Sequence, residues 1–168
     1  AVLRDSVTTF FTIARDDLGN ESACVDSGVS YIHDSRLSAR SLSAGEYHTC
    51  VIGEDGGAKC WGYNASKQVG DPDAGYCVNR AIPVVGLDAS VVAAISVSGY
   101  HSCALIADAG LKCWGRNQES QAGNPSCGTT CNTPSDVQGL EPGIVGVAAG
   151  GYHTCALTSD GGVRCWGD

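Results

Sequence analysis

Three stretches of this chain, residues 45–62, 98–115 and 150–167, align on one another without a gap. Each carries Tyr-His two residues before a Cys, an Asp midway, and Cys-Trp-Gly at its end. The last copy reads Gly-Gly-Tyr-His-Thr-Cys-Ala-Leu-Thr-Ser-Asp-Gly-Gly-Val-Arg-Cys-Trp-Gly. His48, His101 and His153 are spaced 53 and 52 residues apart, and Trp61, Trp114 and Trp166 repeat that spacing. A fixed period of this length means one supersecondary unit copied along the chain, each copy burying its apolar face against the next.

Each copy reads as a β-hairpin, with flanks of Val, Ile, Leu, Thr and Trp around an Asp-Gly centre. Folding about Asp55, Asp108 and Asp160 sets 155 opposite 165, 156 opposite 164 and 157 opposite 163, with a loop of about three residues. Gly56 or Gly57, Gly110, and Gly161 or Gly162 supply the left-handed conformation such a loop needs. Directly opposed residues have Cβ atoms roughly 4.5–5.5 Å apart, near the reach of a disulfide. The expected bridges are therefore Cys50–Cys60, Cys103–Cys113 and Cys155–Cys165.

Further β segments precede the hairpins: 81–87, then 91–97, and 144–149. That makes three to four strands per unit, the content of a propeller blade. The fold class is all-β: a partial β-propeller of three units, open within this chain, preceded by a short β-hairpin segment. The chain also stops two residues after its last Trp, which is expected to leave the protein to continue beyond it.

The ten cysteines, an even count at regular spacing, point to a disulfide framework and an oxidising compartment, extracellular or cell-surface. Cys127 and Cys131 pair with each other in a loop rich in Gly, Asn, Pro and Thr. Cys24 and Cys77 remain and pair by arithmetic alone. Asn20 and Asn64 head Asn-x-Ser sequons, which permit N-glycosylation in a glycosylating host.

The repeat resembles the regulator of chromosome condensation repeat family, whose motif takes the form Gly-Gly-x-His-Ser/Thr-x-Ala-Leu-Thr-x-Asp-Gly-x-Val-x-x-Trp-Gly. The resemblance covers residues 41–168 and implies seven-bladed propellers with blades of about fifty residues, more than this chain holds. The paired cysteines depart from nuclear and cytosolic members and resemble secreted bacterial ones. Some members are exchange factors for a small GTPase and others inhibit β-lactamase. Both act through loops on a ring face, and neither activity transfers by fold alone.

Residues 1–36 fall outside the repeat. They resemble the C-terminal hairpin of an immunoglobulin-like module of bacterial surface proteins, or a linker, and the repeats occupy 37–168.

A net charge of −8 without a basic run argues against nucleic acid, and no apolar stretch approaches a membrane helix. No hydrolase, phosphate-loop or zinc-protease motif occurs, so no enzymatic activity, catalytic residue or cofactor is expected. One His and two oxidised Cys per unit leave no metal set. Asp71 and Asp73 are turn formers first. His48, His101 and His153 are structural, bonding backbone between blades, and Trp61, Trp114 and Trp166 are core. The expected function is a non-enzymatic structural or protein-binding module of a larger secreted or cell-surface protein. It contacts a protein partner, or copies of itself, through loops 63–80 and 116–135. A glycan-binding adhesin using aromatics near Tyr63 or Tyr76, or an inhibitor or regulator of a secreted enzyme, is the alternative.

Overall fold

The protein is described by a computed structural model covering residues 7–10, 29–32, 39–87, 92–107 and 110–168. Two compact units are distinguished, Ala1–Ser38 and Ala39–Asp168. In the first, β1 (Val7–Phe10) pairs antiparallel with β2 (Val29–Ile32), Val7 opposite Ile32 and Phe10 opposite Val29. The turn and second strand expected between Asp16 and Cys24 lie outside the described residues, as does Asn20.

The second unit holds three antiparallel meanders in sequence. The first blade is β3 (Ala39–Ala44), β4 (His48–Gly53), β5 (Ala58–Tyr63) and β6 (Cys77–Pro83). The second is β7 (Val92–Val97), β8 (His101–Ile106), β9 (Gly110–Arg116) and β10 (Thr130–Asp136). The third comprises β11 (Ile144–Ala149), β12 (His153–Thr158) and β13 (Val163–Gly167). In each sheet the strands lie in chain order, and the sheets do not close on themselves. This is the architecture of blades in an unclosed propeller.

The repeat hairpins are β4–β5, β8–β9 and β12–β13. Cys50 faces Cys60, Cys103 faces Cys113 and Cys155 faces Cys165, each pair with Cα atoms 4.1 Å apart and disulfide-bonded. That separation fits a non-hydrogen-bonded antiparallel pair, about 4.5 Å, where side chains approach most closely. Cys127–Cys131 is the fourth bridge among the described residues. Cys77 takes part in a disulfide; Cys24, its arithmetic partner, lies outside the described residues. Each hairpin bridge closes a ten-residue separation. Replacing Cys103 and Cys113 together by alanine should lower stability by about 2–3 kcal/mol, read as a shift of the urea midpoint.

Neighbouring blades decide burial. Every residue of β8 is buried, because β8 is a central strand of a sheet packed between two others. The equivalent β12 has an intermittent pattern, with His153 and Leu157 exposed. Near-continuous burial marks a strand covered on both faces.

Two strands differ from the sequence reading. The strand expected over 81–87 lies at Cys77–Pro83, and Val84–Leu87 turn away from it. Pro83 sits at its end, on an edge strand, where a missing N–H is tolerated. The polar segment around Cys131 is also a strand, β10, with Pro134 at its irregular register between Cys131 and Ser135.

Candidate functional site

The blades are joined by a hydrogen-bond relay that recurs at both junctions. At the first, Ser102 Oγ donates to the Gln68 carbonyl at 2.8 Å, and Trp114 Nε1 donates to the same oxygen at 2.8 Å. The Ser102 proton is thus committed, so His48 Nε2, 2.6 Å from Ser102 Oγ, is the donor to it. At the second junction, Thr154 Oγ1 and Trp166 Nε1 donate to the Gln121 carbonyl at 2.8 and 2.9 Å, and His101 Nε2 lies 2.8 Å from Thr154 Oγ1. His48, Gln68, His101, Ser102, Trp114, Gln121 and Thr154 are all buried.

His48 and His101 therefore join blades, each through a hydroxyl of the next blade, and the Gly99 backbone also hydrogen-bonds His48. Both are held neutral. Burial, and then the neighbouring histidine, lower His48 and His101 to about 4. His101 Nδ1 meets Ser98 Oγ at 2.8 Å, whereas His48 Nδ1 has no partner among the described residues. The residue equivalent to Ser98 in the first blade is Gly45, and any Cβ there would fall 2.0 Å from the Ser98 carbonyl oxygen.

The relay's acceptor carbonyl belongs to a loop not read as part of the repeat. Within loops 63–80 and 116–135, residues 63–70 and 116–123 share the pattern Asn-x-x-x-Gln-x-Gly and one conformation. Asn64 Oδ1 accepts from Val69 N, and its Nδ2 donates to the Ala74 and Gly75 carbonyls. Asn117 does the same with Ala122 N and the Asn124 and Gly128 carbonyls. Lys67 and Ser120 both take positive φ, 61° and 62°. A Cβ on Gly70 or Gly123 would meet the Trp114 or Trp166 Nε1 at 2.8 or 2.9 Å, so glycine lets the indole reach the carbonyl. Residues 71–76 and 124–129 share Pro72/Pro125 and Gly75/Gly128 and differ at their other four positions.

This corrects the reading of Asn64 as a glycosylation site. Its side chain is 1% exposed and its amide nitrogen is already used twice, so the folded chain has no room for a glycan there. Asn64→Ala should destabilise by about 1–3 kcal/mol, because the buried Val69 N–H and the part-buried Ala74 and Gly75 carbonyls lose their partner; chemical denaturation measures it.

At the edge of the joints the repeat tyrosines form a continuous row. Tyr47 contacts Tyr63 at a centroid distance of 5.9 Å and Tyr100 of the next blade at 5.2 Å. The Arg116 guanidinium lies 5.7 Å from the Tyr100 centroid and 5.3 Å from that of Tyr152. Arg116 is held by Glu119 through bonds of 3.0 and 2.8 Å. A hydrogen bond from the Tyr47 hydroxyl to the Glu46 carboxylate is the main cause raising the Tyr47 phenol above its ordinary value. Tyr76 stands apart in its loop and is 73% exposed.

Among the described residues, no three His, Cys, Asp or Glu side chains gather where they could hold a metal, and no helix is long and apolar enough to cross a membrane. Asp71 Oδ1 accepts from Asp73 N, an Asx turn.

Four-stranded meanders joined by a His–hydroxyl–carbonyl–Trp relay, with the period of the sequence, define a propeller-type repeat protein. The repeat described as the regulator of chromosome condensation (RCC1) repeat matches residues 39–68, 92–121 and 144–168, and the chain belongs to that family. The first two matches run from the first strand of a blade through Gln68 and Gln121, the relay's acceptors. Among curated relatives, protein pim1 of Schizosaccharomyces pombe is 30% identical over 144 residues, covering 76% of this chain and 26% of pim1. Human WBSCR16 shares the fold at a TM-score of 0.74 and 20% identity, over 94% of this chain and 39% of that one. Yeast RCC1 (Prp20), solved bound to Kap60, gives 0.70 and 22%, over 84% and 34%. The chain thus spans about a quarter of that curated relative. The four disulfides fit an oxidising compartment.

Proposed function

We propose that this chain is a non-catalytic, protein-binding run of propeller blades displayed outside the cell, and that its partner is met by the loop tips 71–76 and 124–129. The observation that carries this reading is the contrast inside each connector. Residues 63–70 and 116–123 are fixed by the joint, while the tips that follow keep only Pro72/Pro125 and Gly75/Gly128 in common and differ at their other four positions, the exposed Tyr76 among them. Variable tips on a rigid frame are where binding specificity is usually placed. The yeast relative solved with Kap60 is a protein-binding example of the fold. The disulfides support the location.

Replacing both tips with Gly-Ser sequences of equal length, with the joints left intact, tests this. Capture of a partner by the unaltered chain and loss of that partner by the variant support the assignment. Equal capture by both removes it.

A further inference from the structure

The tyrosine row is repeated with the scaffold, yet the scaffold does not consume it. The joint beneath is completed by His48, Ser102, Trp114 and Gln68, while Tyr47 and Tyr152 remain 42% and 45% exposed. Glycine or serine occupies the first position of each Tyr-His turn, but tyrosine stands beside the histidine in all three copies. The outcome is an uninterrupted line, Tyr63, Tyr47, Tyr100, Arg116, Tyr152, running across both junctions in steps of 5.9, 5.2, 5.7 and 5.3 Å.

Resting on the protein-binding reading above, we propose that this row is the docking strip for an extended, proline-containing, basic peptide segment of the partner. Three properties of the row select that chemistry. First, its rings are tilted against one another, by 62° between Tyr47 and Tyr63 and 46° between Tyr47 and Tyr100. Tilted rings form notches that take a wedge such as a pyrrolidine ring. A linear glycan stacking sugar after sugar wants level ring faces, and the row does not offer them. Second, the row is long enough for an extended segment. A polyproline II segment rises about 3.1 Å per residue, so residues three apart return to one side after about 9 Å, within the roughly 11 Å that two steps of the row add up to. Such segments dock on aromatic-lined surfaces with little ordering entropy to lose.

Third, charge sets the sign. The row contains one cation, Arg116, which Glu119 neutralises with two bonds. Glu46 lies against Tyr47, and the whole chain carries −8. Arg116 itself shows these rings accepting a guanidinium, within the roughly 6 Å range of a cation–π contact. An arginine supplied by the partner would meet the Tyr47 ring beside Glu46 in the same kind of contact.

The test uses the full chain and three probes: a synthetic Pro-Pro-Arg repeat peptide, its Pro-Pro-Glu counterpart, and cellohexaose. Aromatic 13C–1H NMR follows the tyrosine rings of the unaltered chain during each titration. The expected result is that Pro-Pro-Arg shifts the Tyr47, Tyr63 and Tyr100 signals, while the acidic peptide and the sugar do not. Tyr47→Ala and Tyr100→Ala should each weaken Pro-Pro-Arg binding roughly tenfold, the scale of an aromatic hot spot, with Tyr76→Ala unchanged. Equal response to both peptides, a response to cellohexaose alone, or no shift with Pro-Pro-Arg overturns the proposal. The NMR readout needs no variant, so a misfolded mutant cannot decide the matter. If a partner captured through tips 71–76 and 124–129 still binds when Pro-Pro-Arg does not, the docking strip fails and the protein-binding function stands.

Discussion

Replacing Trp114 by alanine should destabilise the repeat unit by about 3–5 kcal/mol, the largest single-residue effect expected in this chain. Trp114 is completely buried, and its Nε1 is one of the two donors to the Gln68 carbonyl. Removing it opens a cavity between two blades and weakens a buried acceptor's satisfaction together. The same substitution elsewhere should be milder in a defined order. Trp166 keeps its bond to Gln121 but is only partly buried, and Trp61 is partly buried without a bonding partner for its indole among the described residues. Urea denaturation of the three variants should rank Trp114→Ala below Trp166→Ala, and Trp166→Ala below Trp61→Ala, in stability. Trp114→Phe separates the two contributions, because it retains most of the ring volume and drops the donor.

Acid should loosen the joints before it reaches the carboxylates. His48 and His101 titrate at about 4 in the folded chain and near 6.5 when unfolded. Between those values the unfolded state binds more protons, so stability falls as the pH is lowered through 6.5 and levels off near 4. Each histidine contributes on the order of 3 kcal/mol of that loss. Glu119 and Asp160 are held below their ordinary values, chiefly by hydrogen bonds from Arg116 and Thr158 respectively. Their contribution has the same sign, but it is present above their unfolded values of 4.5 and 3.8 and is lost only as the pH falls through the folded ones. Urea midpoints between pH 7 and 5 therefore report on the histidines. His101→Gln, whose amide can still donate to Thr154, should roughly halve the slope in that window.

The hairpins were legible because their signals are local and present three times. A Cys pair placed symmetrically about an Asp-Gly turn fixes the register, since shifting the strands by one residue would separate the sulfurs. The Asn-x-x-x-Gln-x-Gly loop was equally invariant but occurs twice, and its neighbours differ: Tyr63 against Arg116, Ala65 against Gln118. Polar residues after a strand read as solvent-exposed connector. Burial of Gln68 and Asn64 becomes visible only when the next blade is set against them. The hydroxyls of Ser102 and Thr154 were hidden for the same reason, as each looks like a spacer between His and Cys. β3 and β6 were obscured by composition. Ala-Arg-Ser-Leu-Ser-Ala and Cys-Val-Asn-Arg-Ala-Ile-Pro lack clean alternation, and both are edge strands supported by the ladder rather than by a buried face.

The tyrosine row shows what a repeat conceals in a linear reading. Tyr47, Tyr100 and Tyr152 sit far apart in sequence, and nothing local distinguishes them from the histidines beside them. Placed blade on blade, Tyr47 and Tyr100 stack across one junction, while Arg116 fills the corresponding place at the other. The outer line and the inner relay thus arise from adjacent residues of one motif, one serving cohesion and the other facing solvent.

The relay is the central claim, and the imidazole nitrogens of His48 and His101 test it most directly. In 15N-labelled full chain at pH 7, both rings should appear as the neutral Nε2–H tautomer, with Nε2–H slow to exchange and each coupled across a hydrogen bond to the hydroxyl of the next blade. They should stay neutral well below pH 6. Rings that carry the proton on Nδ1, or that titrate near 6.5 with rapidly exchanging N–H groups, would contradict the joint described here.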